Sequence, residues 1–276
     1  MNHTRRQRPR RAATHVILEF QEFWISKRPR FFKISVSATA ETLDVSGREL
    51  ESVPRRIDYL LNLRVLNLNN NFLYVLPTEL GSLVLLEELN LKGNHLSDLP
   101  DSLQQIAFLW RLNLGWNQFS AVSPVVEKLT TLTRLSLADN RFHWEHLGDP
   151  QSLSRLAALT RLERLNLKDC QLPTLPNALC SLKQMRHLNI SGNPKLVNPY
   201  VNVPEPVVCM PQLEVLVLPV SGIYLLGQEY IHDYLQPERM MYNRRAVLTS
   251  LYQLGFDESV VALVLAQPPL IKNPEY

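Results

Sequence analysis

Between Ala40 and Leu226 the apolar positions of this chain recur in one order: an apolar residue, two variable, apolar, one variable, apolar, two variable, and a small polar residue. Four consecutive copies read Leu63-x-x-Leu66-x-Leu68-x-x-Asn71, Leu86-x-x-Leu89-x-Leu91-x-x-Asn94, Leu109-x-x-Leu112-x-Leu114-x-x-Asn117 and Leu132-x-x-Leu135-x-Leu137-x-x-Asn140. The starts at Ala40, Leu63, Leu86, Leu109 and Leu132 stand 23 residues apart, and further copies begin at Leu162, Met185 and Leu213. Side chains on a strand alternate with period two, so the last two apolar residues of each motif share one face of a short strand. A fixed period of this length marks a solenoid, in which each unit buries its apolar face against the next. The predicted fold is α/β, with the strands stacked as a parallel sheet that buries one face and leaves the other as a concave wall. Leu66, Leu89, Leu112, Leu135, Leu165 and Leu188 are predicted to be buried. Asn71, Asn94, Asn117, Asn140 and Asn193 are predicted to turn inward and satisfy backbone groups otherwise buried unpaired. Arg48, Cys170 and Ser221 stand at that position in the other copies. Cys170, small and buriable, reads as structural.

The motif is similar to the leucine-rich repeat, and the chain resembles the intracellular Ras-suppressor and soc-2-like class. That class adds a Leu-Pro pair after the asparagine, matched here by Val53-Pro54, Leu76-Pro77, Leu99-Pro100 and Leu175-Pro176, with Pro124 one place late. The resemblance covers about two-thirds of the chain. It implies a right-handed horseshoe that binds other proteins, with no catalysis and no cofactor of its own. A shared repeat does not by itself hand on one function.

The pattern divides the chain into a basic arm (1–13), an N-terminal cap (14–39), eight repeats (40–226), a C-terminal helical cap (227–267) and a tail (268–276). In the N-terminal cap, Val16, Ile17, Phe20, Phe23 and Trp24 fall at helical spacing over 14–27, so a helix is predicted there. Phe31 to Val36 alternates like a strand and is predicted to lie beside the first repeat. Membrane-surface binding is the other reading of this aromatic stripe. After the array, Met240, Met241, Val247, Leu248, Leu251 and Leu254 suit a helix opened by Pro237, and Asp257 caps another. Leu254-Gly255-Phe256 is similar to the loop of ubiquitin-associated domains, without room for their third helix. Insertions lengthen two repeats, around His143 to Gln151 and among Pro194, Pro199, Pro204 and Pro206, and both are predicted to emerge as loops.

Charge refines the picture. The formal net charge is +3, but Arg5, Arg6, Arg8, Arg10 and Arg11 crowd the first residues, and without those five the remainder carries −2. The body is therefore no general polyanion binder, and nucleic acid is expected only if the basic arm takes it. That arm reads as a solvated segment, a nuclear-localisation or nucleic-acid patch, or a mitochondrial transit segment interrupted by Pro9. No apolar run is long enough to span a membrane. Three cysteines, Cys170, Cys180 and Cys209, form no terminal disulfide cluster, which points to a reducing compartment, cytoplasmic or nuclear. His143, His146, Glu145 and Asp149 are ligand types without metal-site spacing, and no phosphate loop or serine elbow occurs, so an enzyme is not expected.

The candidate binding residues lie on the wall. Its third motif position reads Thr42, Val65, Glu88, Arg111, Arg134, Arg164, His187, Val215. Three arginines in successive repeats repel by about 3 kcal/mol per neighbouring pair at an effective dielectric of about 20. Such a stripe is either a ridge screened by acids, with Glu163, Asp139 and Asp169 as candidates, or a dock for an acidic segment of a protein partner. The fifth position, Asn67, Asn90, Asn113, Ser136, Asn166 and Asn189, is expected to form a ladder of paired donors and acceptors, either suited to a partner's peptide backbone, with Asn113 as a contact candidate, or bracing neighbouring strands across the sheet. Past the strands, Phe72, Tyr74, Trp116, His143 and Trp144 form an aromatic flank, with Trp116 and Trp144 as contact candidates. The expectation is a monomeric, non-catalytic binding scaffold in intracellular signalling. A ubiquitin-system adaptor acting through the C-terminal helices and a nucleic-acid-associated protein acting through the arm are the alternatives.

Overall fold

The computed structural model describes residues 14–22, 30–142, 152–196, 207, 210–217 and 224–226. The chain enters through an antiparallel hairpin of β1 (His15–Glu22) and β2 (Arg30–Ser37), in which Leu18 faces Ile34 and Phe20 faces Phe32. This corrects the helix predicted over 14–27. Leu18 and Phe20 are fully buried while Ile17 is 56% exposed. A helical stripe through Val16, Ile17 and Phe20 would have buried Ile17. The β-branched pair Val16-Ile17 and the alternation Val16, Leu18, Phe20 satisfy the strand period equally well, and pairing along the whole of β2 decides between them. Phe23 and Trp24 lie outside the described residues.

The repeats begin with β3 (Thr42–Asp44), followed by β4 (Leu50–Ser52), which pairs with β1 and seats the hairpin on the first repeat, so that β1 and not the Phe31 to Val36 strand predicted there pairs beside it. One strand per repeat follows: β5 (Val65–Asn67), β6 (Glu88–Asn90), β7 (Arg111–Asn113), β8 (Arg134–Ser136), β9 (Arg164–Asn166), β10 (His187–Asn189) and β11 (Val215–Val217). These stack with β3 as eight parallel strands, and β12 (Tyr224–Leu226) closes the sheet antiparallel to β11. The register is that of the motif, Leu43 beside Leu66, Leu89, Leu112, Leu135, Leu165, Leu188 and Leu216. A one-residue slip would turn every leucine outward, so burial of the leucine row enforces that register.

The six leucines predicted to be buried are buried, and the five asparagines lie inside. Asn117 shows their work: its Nδ2 donates to the Leu91 and Leu114 carbonyls at 2.9 and 3.0 Å, and its Oδ1 accepts from the Leu96 amide at 3.0 Å. Each asparagine thus ties its own turn to the preceding repeat. Cys170 substitutes with a thiol that donates to the Leu137 carbonyl at 3.1 Å and the Lys168 carbonyl at 3.3 Å. Burial pushes that thiol up to about 12 from a usual 9.0.

On the opposite side of the first six repeats the chain returns through short 3-10 turns rather than α-helices. Pro54, Pro77, Pro100 and Pro176 precede them in extended conformation, and their carbonyls accept from Ile57, Leu80, Leu103 and Leu179 at 3.0–3.1 Å. In the repeat where proline is one place late, the Ser123 carbonyl takes that role toward Val126 at 3.0 Å. Proline lacks an N–H and is pre-set in φ, which suits a position that only accepts. The predicted C-terminal helical cap (227–267) and the tips of both insertions lie outside the described residues. Among the described residues no helix is long and apolar enough to cross a membrane.

Candidate functional site

The parallel register sets Arg111, Arg134, Arg164 and His187 side by side on the outward face, roughly 5 Å apart from strand to strand. Their surroundings differ. Arg111 pairs with Glu88 on β6 at 3.2 Å. Arg134 lies over the Trp110 ring, 5.2 Å from its centroid, which stabilises the cation and leaves guanidinium N–H groups available. Arg164 makes no ion pair among the described residues. Glu88 and Trp110 are thus the screens. Among the described residues none of the expected acids pairs with the stripe, and Asp169 pairs instead with Lys168 at 3.2 Å.

His187 closes the row but differs in character. Its side chain is only 14% exposed, its Nε2 stands 3.9 Å from the Glu214 carboxylate, and its Nδ1 is buried without a hydrogen-bond partner. Burial, then the positive charge of Arg164, holds its pKa below 6.5 against the opposing pull of Glu214. It is neutral at pH 7, so the positive charge centres on Arg134 and Arg164. Beyond it on β11, Val215 and Val217 are buried as well, so the open face lies over the earlier strands.

Beneath the arginines the expected cross-strand ladder is not formed. Instead the side-chain carbonyls of Asn90, Asn113 and Asn166 each accept the amide two residues on, from Lys92, Gly115 and Lys168 at 3.1–3.2 Å. Asn67 is bound likewise to the Asn69 amide, and among the described residues of this row only its side-chain amide reaches across a strand, to Asp44 at 3.0 Å. The short strands explain this: the chain turns at once, and the asparagine carbonyl satisfies the first amide that leaves the ladder. The consequence is an outward surface rich in donors. The asparagine carbonyls are used internally, whereas among the described residues the Nδ2 groups of Asn113 and Asn166 remain as donors beside the two guanidinium groups, with the Ser136 hydroxyl able to donate or accept between them. Arg111, Asn113, Arg134, Ser136, Arg164 and Asn166 together line a shallow depression across β7, β8 and β9.

The aromatic flank separates into two features. Phe72 and Tyr74 gather around His95, with ring centroids 5.6 and 5.0 Å away, and the Gln118 amide meets His95 Nδ1 at 3.2 Å. Trp116 stands apart, 58% exposed, with its backbone in the left-handed region at φ 56°. Its position, just before the last residue of each motif, is left-handed throughout the described array: Gly47, Asn70, Gly93, Trp116, Asp139, Asp169 and Gly192 have φ between 50° and 68°. At Gly93 and Gly192 a Cβ would also overlap the side chains of Asn70 and Asp169 from the preceding repeat. Every residue in that row other than Trp116 is glycine, asparagine or aspartate, the types that adopt this conformation at least cost. The Asp139 carboxyl in the next repeat is held above its usual range by burial and then by the Asp169 charge, with the Trp116 indole acting weakly in the other direction. Nothing in the leucine spacing announced this strain; the type of residue before each asparagine was the available signal. Trp144 and His143 lie outside the described residues.

A family model described as a leucine-rich repeat region matches residues 42–227. Among solved structures, the chain is similar to a leucine-rich repeat protein of Leptospira interrogans, at 24% identity and a TM-score of 0.54, over 74% of this chain and 57% of that one. It is similar also to an internalin of Listeria monocytogenes, at 25% identity and a TM-score of 0.54, over 67% of this chain and 57% of that one. The chain therefore spans 57% of the length of each. Comparison with curated proteins returns no match.

Proposed function

The chain belongs to the leucine-rich repeat family, and from that premise we propose that it is a non-catalytic scaffold whose open sheet face binds an acidic segment of a protein partner. The observation that carries this is the donor-rich chemistry of the depression on β7–β9: two guanidinium groups without an ion-pair partner among the described residues, above amide donors whose carbonyls are already bonded. Such a surface complements carboxylates and peptide carbonyls, both of which only accept. The sheet presents these donors on short strands locked by burial on the other face, so little ordering entropy is lost on binding. The Val-Pro and Leu-Pro pairs favour a scaffold of the Ras-suppressor and soc-2-like kind, acting in intracellular signalling as a monomer. The two alternative readings, through the basic arm and through the C-terminal helices, rest on residues outside the described ones.

Affinity purification with the intact chain, read by mass spectrometry, supplies the partner, and isothermal titration then tests the face. Arg134→Glu is expected to weaken binding by about 2–5 kcal/mol if the charge pair is buried in the complex. The fold should be nearly as stable as before, since outward wall positions add little to the core. Lys128→Glu, on a 3-10 turn beside Glu127, is the control and should leave affinity unchanged. Equal affinity for Arg134→Glu and the wild type would reduce the stripe to a solvated ridge.

A further inference from the structure

We propose that Trp116 is a second contact for the same partner segment, a strained aromatic kept where the fold itself favours glycine, asparagine or aspartate. This rests on the acidic-segment reading and specifies what else the segment carries. The local argument begins with conformation. Seven repeats place a left-handed residue at this point, and six fill it with glycine or a short amide or acid. Tryptophan is a poor occupant, because its Cβ crowds its own backbone there. Residues held in sparsely populated backbone regions cluster at binding sites, where the surrounding structure over-determines them.

The surroundings do over-determine it. The Trp116 amide donates to the Ala138 carbonyl at 2.8 Å and its carbonyl accepts from Asn94 at 3.1 Å, so the backbone is fixed in both neighbouring repeats. On that fixed backbone its indole is 58% exposed. It is therefore a preorganised apolar plate, the kind of residue over-represented among binding hot spots.

The same backbone bond gives a ruler. Ala138 follows Arg134 by four residues in one repeat, and because the chain turns after β8 this span is at most about 13 Å. An extended partner segment running along the strand direction would thus place an acidic residue at Arg134 and Arg164 and an apolar residue at Trp116. The two therefore lie no more than about four residues apart in that segment. Charge complementarity selects the first residue and the exposed indole the second.

The test uses the full chain and fluorescein-labelled synthetic peptides that carry a Glu-Glu pair and a phenylalanine at increasing separations, spaced by glycine and serine. Fluorescence polarisation is expected to show its maximum at a separation of about four residues or fewer, about tenfold tighter than the same peptide with glycine for phenylalanine. Trp116→Gly and Trp116→Asn, the residue types of the neighbouring repeats, should abolish that tenfold gain and keep the binding that depends on glutamate. Both variants should melt at the wild-type temperature or higher, because they relieve the left-handed strain. Glutamate-dependent binding that ignores the phenylalanine, or a lowered melting temperature in both variants, overturns the role of Trp116 and leaves the acidic dock standing. Absence of glutamate-dependent binding, with Arg134→Glu indistinguishable from wild type, brings down both.

Discussion

At the scale of the residue, the asparagine at the end of each motif does more than fill a place in a pattern. Asn94, Asn117, Asn140 and Asn193 each donate to carbonyls of two repeats and accept an amide of the preceding one. Asn117→Ala should therefore cost about 1–3 kcal/mol in denaturant unfolding, the penalty of buried carbonyls and an amide left unpaired. That role was legible, because a short amide in a buried position has few other uses. Cys170 shows the same position solved with less. Its thiol, pushed up to about 12 mainly by burial, should resist iodoacetamide at pH 8 in the folded chain and react once denaturant is added, as read by mass spectrometry. Because the folded value lies above the unfolded one, the neutral thiol's contribution to stability is complete below 9.0 and is lost as pH rises toward about 12. The asparagines of the wall were harder to read. Sequence places them in a row but does not say that their carbonyls will be taken by the amide two residues on.

At the scale of the element, the repeats followed their pattern and the N-terminal segment did not. Between His15 and Glu22 the apolar residues fit two periods, and an isolated segment offers nothing to choose between them. Pairing chooses. β1 satisfies its backbone between β2 on one side and β4 on the other, and only the strand conformation reaches both. Two substitutions separate the geometries. Phe20→Ala should destabilise by about 3–5 kcal/mol, as truncation of a fully buried aromatic does. Ile17→Ser, outward on the strand, should change stability by no more than about 0.5 kcal/mol. In a helix both residues would share the buried face and both substitutions would be costly, so chemical denaturation of the pair decides.

At the scale of the whole molecule, stability is a sum of repeats and of contacts between neighbours. Leu89→Ala, in the third strand of the parallel array, should lower stability by about 2–5 kcal/mol. Amide hydrogen exchange should then show the loss of protection spreading to the repeats of Leu66 and Leu112, its partners in register. Loss confined to its own repeat, or an unchanged denaturation midpoint, would contradict a shared core. The period, the inward leucines and asparagines and the strand register were determined by the sequence alone, because a local spacing repeated many times has one way to bury its apolar face. It also placed Arg111, Arg134 and Arg164 in a line, since equal motif positions become lateral neighbours. Tertiary structure decided what each arginine then meets: Glu88 for Arg111, the Trp110 ring for Arg134 and no ion-pairing acid among the described residues for Arg164. It also decided the strand form of the N-terminal segment and the strained backbone of Trp116. Those features depend on side-chain direction and on bonds between distant segments, which a one-dimensional spacing does not encode.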